Sequence, residues 1–142
     1  MPSGVRCLQR GASPANLING TRHLIVMVRS WYGSGNWRCD VISGSPAVDG
    51  GRKVGSLGGS GSAATYSLAG SGRAWVYLAG PDSSDFDLYV RWNAAPTTST
   101  YDCRGFSIWS QEICNVRNAG TLYYMANSWY GSGEYTMLAL IF

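Results

Sequence analysis

Few residues of this 142-residue chain have the types and spacing that catalysis requires. The chain has eight acidic residues but a single histidine, His23, so a Ser-His-Asp triad has only one candidate base. The nearest approach to a Gly-x-Ser-x-Gly nucleophile motif is Gly59-Ser60-Gly61-Ser62, in a Gly/Ser-rich tract with no helix predicted after it. Paired carboxylates for glycoside hydrolysis stay an open alternative. We therefore predict that the chain is not an enzyme and that His23 is a structural residue.

Three aspartates, Asp82, Asp85 and Asp87, lie close together in the sequence. Closely spaced carboxylates supply the oxygen ligands that calcium prefers, which makes a calcium site one hypothesis. The number of ligands is small for calcium, and the EF-hand pattern is absent. The alternative is structural, because Asp85 and Asp87 share one face of a strand and can bind the backbone of a turn. No other cofactor is predicted.

A six-residue motif, Ser-Trp-Tyr-Gly-Ser-Gly, occurs at residues 30–35 and again at 128–133. This repetition predicts that residues 1–43 resemble the trailing half of a second copy of the domain that follows. The aromatic residues of the two motifs, Trp31, Tyr32, Trp129 and Tyr130, are candidates for stacking on sugar rings or for anchoring a partner. Alternatively, each Trp packs on the edge of a sandwich and each Tyr caps the turn.

The composition is typical of a β-rich domain with a substantial core. Hydrophobic residues make up 45% of the chain, charged residues only 13%, and 19 residues are glycine. The net charge of +3 is weak and no basic run is present, which argues against nucleic-acid binding. No apolar run is long enough to span a membrane, and the first 21 residues lack the features of a signal peptide. If the protein is exported, the sequence is therefore a mature form or a piece of a longer precursor.

Apolar patterns and turn signals predict the strands and their order. Residues 24–42 are predicted to form a hairpin, and residues 44–51 a linker. The domain is then predicted to span 52–142, with the Gly/Ser tract at 55–62 inside it. Its clearest predicted strands are 64–68, 74–78, 86–92, 122–127 and 135–142, with a turn at 69–72 between the first two.

Several short motifs follow one another in a fixed order from Asp85 onward. They are Asp85-Phe86-Asp87-Leu88-Tyr89-Val90, Pro96-Thr97-Thr98, Tyr101-Asp102-Cys103-Arg104, Glu112-Ile113-Cys114, Gly120-Thr121 with Tyr123-Tyr124-Met125, and Tyr130-Gly131-Ser132-Gly133. In this order the chain resembles the bacterial pre-peptidase C-terminal domain over residues 52–142. The resemblance implies a jelly-roll-like antiparallel β-sandwich of about eight short strands, which is extracellular and non-catalytic. Related collagen-binding modules use calcium, which connects the resemblance to the three aspartates.

The resemblance also implies a disulfide between Cys103 and Cys114, because both lie in matched motifs. Four cysteines without a C-x-x-C pair favour two disulfides in an exported protein over a zinc site, with free buried thiols as the alternative. Cys7 and Cys39 would then form the second pair. Position 39 corresponds to Met137 in the repeat, however, so that pairing is left open.

Two functions from different classes follow for a non-catalytic extracellular module. In the first, the chain is a structural subunit that self-assembles. Its N-terminal half copy contains an apolar run made up of Leu24, Ile25, Val26, Met27 and Val28. This run must cover its own domain or complete the sheet of a neighbouring chain. Repeated pairing between chains can extend into a filament. In the second, it is an accessory domain of a secreted bacterial peptidase or another hydrolase and binds a polymeric substrate.

Overall fold

The computed structural model describes residues 46–142, together with the backbone of two short N-terminal segments. These two segments are β1 (Gly4–Arg6) and β2 (Leu17–Asn19), which pair antiparallel with Val5 opposite Ile18. No pattern in the sequence predicts this pair. The predicted hairpin at 24–42, His23, Cys7 and Cys39 all lie outside the described residues.

Residues 46–142 form one antiparallel sheet of six strands in the order β3-β8-β4-β7-β5-β6. None of the described residues forms a helix long and apolar enough to cross a membrane. The strands are β3 (Val48–Leu57), β4 (Ala63–Ala79), β5 (Asp85–Trp92), β6 (Cys103–Gly105), β7 (Gln111–Tyr130) and β8 (Gly133–Ile141).

Two long strands, β4 and β7, allow this single sheet to form both layers of a sandwich. The first half of β4 pairs with the second half of β7, which in turn pairs with β5. The second half of β4 pairs with the first half of β7 and also with β8. Side chains from both regions, among them Val76, Met137, Leu88 and Tyr124, meet in one buried core. The predicted jelly-roll-like antiparallel sandwich is therefore confirmed.

The predicted turn at 69–72 is wrong, because β4 runs through these residues without interruption. Gly70 lies opposite Gly120 of β7, so both strands have a glycine where they pass from one layer to the other. Gly72 has a φ of 129°, and a Cβ there would collide with the carbonyl oxygen of Phe142. The glycines therefore permit a close crossing of strands rather than a reversal of the chain.

Other predicted boundaries also change. The domain has six strands instead of about eight, because the strands are longer than predicted. Two predicted strands and the turn between them form the single strand β4 of 17 residues, and β7 is 20 residues long. β3 begins at Val48, within the predicted linker 44–51, and it extends into the Gly/Ser tract. The division of the chain into a partial repeat and a complete domain stays a prediction.

Candidate functional site

A disulfide closes the loop between β6 and β7. Cys103 and Cys114 are bonded, with 5.9 Å between their Cα atoms, which confirms the predicted pair. β6 is a short edge strand that pairs with only three residues of β5, so the disulfide gives it a second attachment to the sheet. A cross-link that closes a loop of this size contributes roughly 3 kcal/mol in the chain-entropy model.

Arg104, inside this loop, neutralises a buried carboxylate. Its Nη2 donates a hydrogen bond to Asp87 Oδ2 at 2.7 Å, and Tyr89 Oη donates to the same oxygen at 3.1 Å. Asp87 is only 2% exposed, and a carboxylate at that depth requires a charged or hydrogen-bonding partner. Burial and the neighbouring Asp87 charge raise the pKa of Tyr89 to about 12. The Arg104 guanidinium also lies 4.6 Å from the ring centre of Phe106, which holds the start of the loop against the sheet.

Glu112 fastens the other side of the same loop. Its Oε1 accepts a hydrogen bond from the backbone N–H of Ser107, and its side chain is buried. Burial raises the pKa of the Glu112 carboxyl, an effect that the hydrogen bonds from Ser107 partly offset. The loop is therefore tied to the sheet by the disulfide, by Arg104 and by Glu112.

Two serines join this loop to two neighbouring turns. Ser110 Oγ donates to the carbonyl oxygen of Ser84 at 2.6 Å and accepts from the N–H of Phe86 at 3.0 Å. Ser84 Oγ donates to the carbonyl oxygen of Ser132 at 2.8 Å. Ser110 precedes β7 and Ser132 follows it, so the sandwich brings both ends of that long strand to Ser84. Neither serine was predicted as a site residue, since isolated serines near turns carry no signal of such contacts.

Large apolar side chains are exposed on the segments that this network holds. We call the set of five residues the aromatic end: Phe106 is 66% exposed, Ile108 78%, Trp109 40%, Trp129 68% and Tyr130 66%. Trp129 is therefore exposed to solvent instead of packed on the edge of the sandwich, and Tyr130 is exposed beside it. Their role in binding stays a prediction, as does that of Trp31 and Tyr32, which lie outside the described residues. Phe106 and Ile108 were not predicted as site residues.

The three aspartates do not fit a calcium site. Asp87 is bound by Arg104 and Tyr89, Asp82 is exposed in a turn, and Asp85 is half-buried. Burial, followed by the charge of Asp87, raises the pKa of the Asp85 carboxyl. Over residues 46–142, no three His, Cys, Asp or Glu side chains lie close enough to hold a metal ion. The Arg104 guanidinium is the positive charge that pairs with Asp87.

Comparison with known proteins shows similarity to parts of bacterial proteases. No family model matches the chain. Xanthomonalisin of Xanthomonas sp. (strain T-22) is 43% identical over 47 residues, which is 32% of this chain and 6% of that protein. The neutral protease of Vibrio proteolyticus is 34% identical over 62 residues, 43% of this chain and 10% of that protein. The chain thus spans a tenth or less of the length of either relative.

One solved structure among those similar to this chain is the pre-peptidase C-terminal domain of collagenase from Bacillus anthracis. Its TM-score is 0.48 and its sequence identity 15%, and the match covers 63% of this chain and 87% of that one. The motifs from Asp85 onward resemble the same family in sequence. The fold itself is established by the strand pairing described above.

Proposed function

We propose that this relative of the pre-peptidase C-terminal domains is a non-catalytic accessory module of a secreted bacterial peptidase. In this role it holds the enzyme near a polymeric protein substrate, which it binds through the aromatic end. The observation that carries the proposal is the exposure of five large apolar side chains on segments that a disulfide and a serine network hold in place.

The construction of the aromatic end suits binding. Exposed large aromatic residues are costly in water, and when clustered they commonly mark interaction surfaces. A loop that is already ordered loses less conformational entropy on binding than a mobile one, so affinity improves without new contacts. The disulfide, Arg104 and Glu112 provide this order on one side, and Ser84 provides it on the other. Binding loops on a rigid β-scaffold are a common arrangement.

The context of the chain supports an accessory role outside the cytoplasm. The regions of the proteases that are similar to this chain make up only a small part of the length of each protease, as expected for one module among several. A disulfide persists in oxidising compartments, which favours export. The most buried carboxylates of the described domain, Asp87 and Glu112, are used to hold the loop between β6 and β7, which supports a non-catalytic role.

Self-assembly into a filament is less well supported than the accessory role. The similar regions found by comparison belong to proteases, which supports the accessory role over assembly. The apolar run at 24–28, on which the assembly hypothesis rests, lies outside the described residues.

A co-sedimentation experiment tests the proposal. The purified chain is mixed with insoluble collagen, elastin or keratin particles, with cellulose and chitin as non-protein controls. We expect binding to at least one protein polymer, and a Trp129→Ala/Tyr130→Ala variant should bind it at least about tenfold more weakly, a loss of about 1.4 kcal/mol. The matched control is Val54→Ala, which removes an exposed apolar side chain from the edge strand β3.

The outcome for the variants decides the proposal. Normal binding by the Val54→Ala variant together with weak binding by the double variant supports it. Equal binding by all three proteins, or sedimentation with none of the protein polymers, contradicts it.

A further inference from the structure

Two arginines lie directly opposite each other on the neighbouring strands β4 and β7. Arg73 is paired with Arg117 in the strand register, so both side chains point to the same face of the sheet. Both residues are exposed, and we call them the arginine pair. Like charges directly opposite each other destabilise a sheet. An anion bound to both guanidinium groups would offset this repulsion.

The acidic residues of the surrounding strands lie away from the arginine pair. β4 contains no acidic residue. Those of β7 and β8, Glu112 and Glu134, lie at the other end of this group of strands, where Ala79 pairs with both β7 and β8. Asp49 of β3 is two strands away from β4 and accepts a hydrogen bond from the N–H of Gly51 at 2.9 Å. Within residues 46–142, the register therefore places no carboxylate beside the arginine pair.

Two aromatic residues and an amide border the arginine pair on the same face. Phe142 and Arg73 exchange two backbone hydrogen bonds, so Phe142 lies beside the pair in the same row across the sheet. Trp75, two residues further along β4, shares the face of Arg73 and lies opposite Asn115. The two aromatic side chains are only partly buried, and Asn115 is exposed. A ligand held by the arginines would therefore meet a ring surface and an amide.

We propose that the arginine pair binds an anionic polysaccharide through its sulfate or carboxylate groups. A guanidinium group presents parallel N–H donors that match the oxygen atoms of such anions. Trp75 provides an apolar surface for a sugar ring, and the Asn115 amide provides donors and an acceptor for hydroxyl groups.

The side chains next to the arginine pair favour a polysaccharide over a protein partner. Ser71 and Ala119, which lie opposite each other one step further along the strands, are exposed and small. Asn115 on the other side of the pair is exposed and polar. A stable protein interface requires a large contact with an apolar centre, and the exposed side chains here do not provide one.

The arginine pair is distant from the aromatic end, so this binding goes beyond the proposed function. Arg73 is six residues from Ala79 along β4, or about 20 Å. Ala79 pairs with Gln111, which directly follows the loop that carries Phe106. The module can therefore bind an anionic polysaccharide at one region and a protein at another.

Isothermal titration calorimetry of the purified chain with soluble polysaccharides tests the proposal. Dextran sulfate and alginate distinguish sulfate from carboxylate groups, and neutral dextran is the matched control ligand. We expect at least one of the two anionic polysaccharides to bind and neutral dextran not to bind. Arg73→Gln/Arg117→Gln should weaken the binding at least about tenfold. The control variant Arg52→Gln/Lys53→Gln removes the same charge from β3 and should change the affinity by less than about threefold.

Urea unfolding checks that the variants fold. Arg73→Gln/Arg117→Gln removes the repulsion between two like charges, so it should unfold at the same urea concentration as the natural protein or at a higher one. If the double variant does not fold, the single variants Arg73→Gln and Arg117→Gln replace it, and each should weaken binding at least about threefold. Trp129→Ala/Tyr130→Ala should bind the polysaccharide normally, which separates this site from the aromatic end.

The outcome for the two charge variants decides the proposal. Weak binding by the variant of the arginine pair, together with normal binding by the β3 variant, supports it. Equal weakening of both variants would show a response to net charge alone and would overturn it. Binding of neither anionic polysaccharide, or equal binding of neutral dextran, would also overturn it. Tighter binding of poly-L-glutamate than of either polysaccharide would contradict it by indicating an acidic protein as the partner.

Discussion

The aromatic end and a second apolar cluster contain similar side chains and expose them to opposite extents. We call the second cluster the outer face: it comprises Tyr77, Leu138 and Leu140, with Trp75, Ile113 and Phe142 packed beside them. Trp129 and Ile108 are more than two-thirds exposed, whereas Leu138 and Leu140 are almost completely buried. The aromatic end is held by polar contacts and a disulfide beneath it, whereas the residues of the outer face pack against one another. The comparison shows that large apolar side chains outside the main core of this domain differ widely in exposure. The side chains of the aromatic end are exposed on segments that a disulfide and hydrogen bonds hold in place.

The largest expected difference between the two regions is in stability. Leu138→Ala should lower the free energy of unfolding by about 3 kcal/mol, because it removes buried methyl groups and leaves a cavity. Trp129→Ala, which removes a larger but exposed side chain, should change it by less than about 0.5 kcal/mol. Urea unfolding of both variants measures the difference. Similar losses for the two variants would erase the distinction between the regions.

A second effect of comparable size concerns the disulfide. Cys103→Ser/Cys114→Ser should lower the free energy of unfolding by roughly 3 kcal/mol, because the unfolded chain regains the freedom of the open loop. The same change should weaken polymer binding, since the loop that carries Phe106 and Ile108 loses one attachment. Intact-mass analysis without reductant should show the bond in the native protein. Free thiols at Cys103 and Cys114 in freshly isolated protein would contradict this account and weaken the case for export.

The smallest expected effect is a pH dependence from Glu112. Burial raises the pKa of this carboxyl, so the folded protein binds the proton more tightly than the unfolded chain does. Its contribution to stability is therefore complete below the unfolded pKa and is lost as pH rises through the folded pKa. Relative to Glu112→Gln, the natural protein should lose stability between acidic and neutral pH.

The difference in melting temperature between the natural protein and Glu112→Gln, measured from pH 4 to pH 7, tests this dependence. Leu138→Ala is the matched control, because the difference it causes involves no titrating side chain and should stay nearly constant with pH. The prediction is wrong if the difference in melting temperature for Glu112→Gln is also constant with pH. It is equally wrong if the natural protein becomes more stable relative to the variant as pH rises.

The sequence predicts the parts of this structure that depend on local patterns. β5 and β8 lie within two residues of the predicted boundaries, since alternation and flanking turns mark their ends. The turn at 69–72 was predicted wrongly, because a Gly-Ser-Gly stretch indicates a turn unless a distant strand pairs with it. That partner is β7, about fifty residues further along the chain.

The candidate site was partly predictable for the same reason. Trp129 and Tyr130 belong to a repeated motif, and the repetition makes them candidate site residues. Ser84 and Ser110 are joined across 26 residues, and Ser84 and Ser132 across 48. No local pattern records these contacts. Phe106 and Ile108 resemble core residues in the sequence, and only the structure shows them exposed.

The central claim is that the aromatic end is the surface through which this module binds a polymeric protein. Amide hydrogen exchange, measured with and without the polymer identified by co-sedimentation, tests it most directly. We expect slower exchange on binding in residues 104–110 and 128–133, and unchanged exchange in the edge strand β3. Protection that falls on β3 or on β8, with none at the aromatic end, would contradict the account.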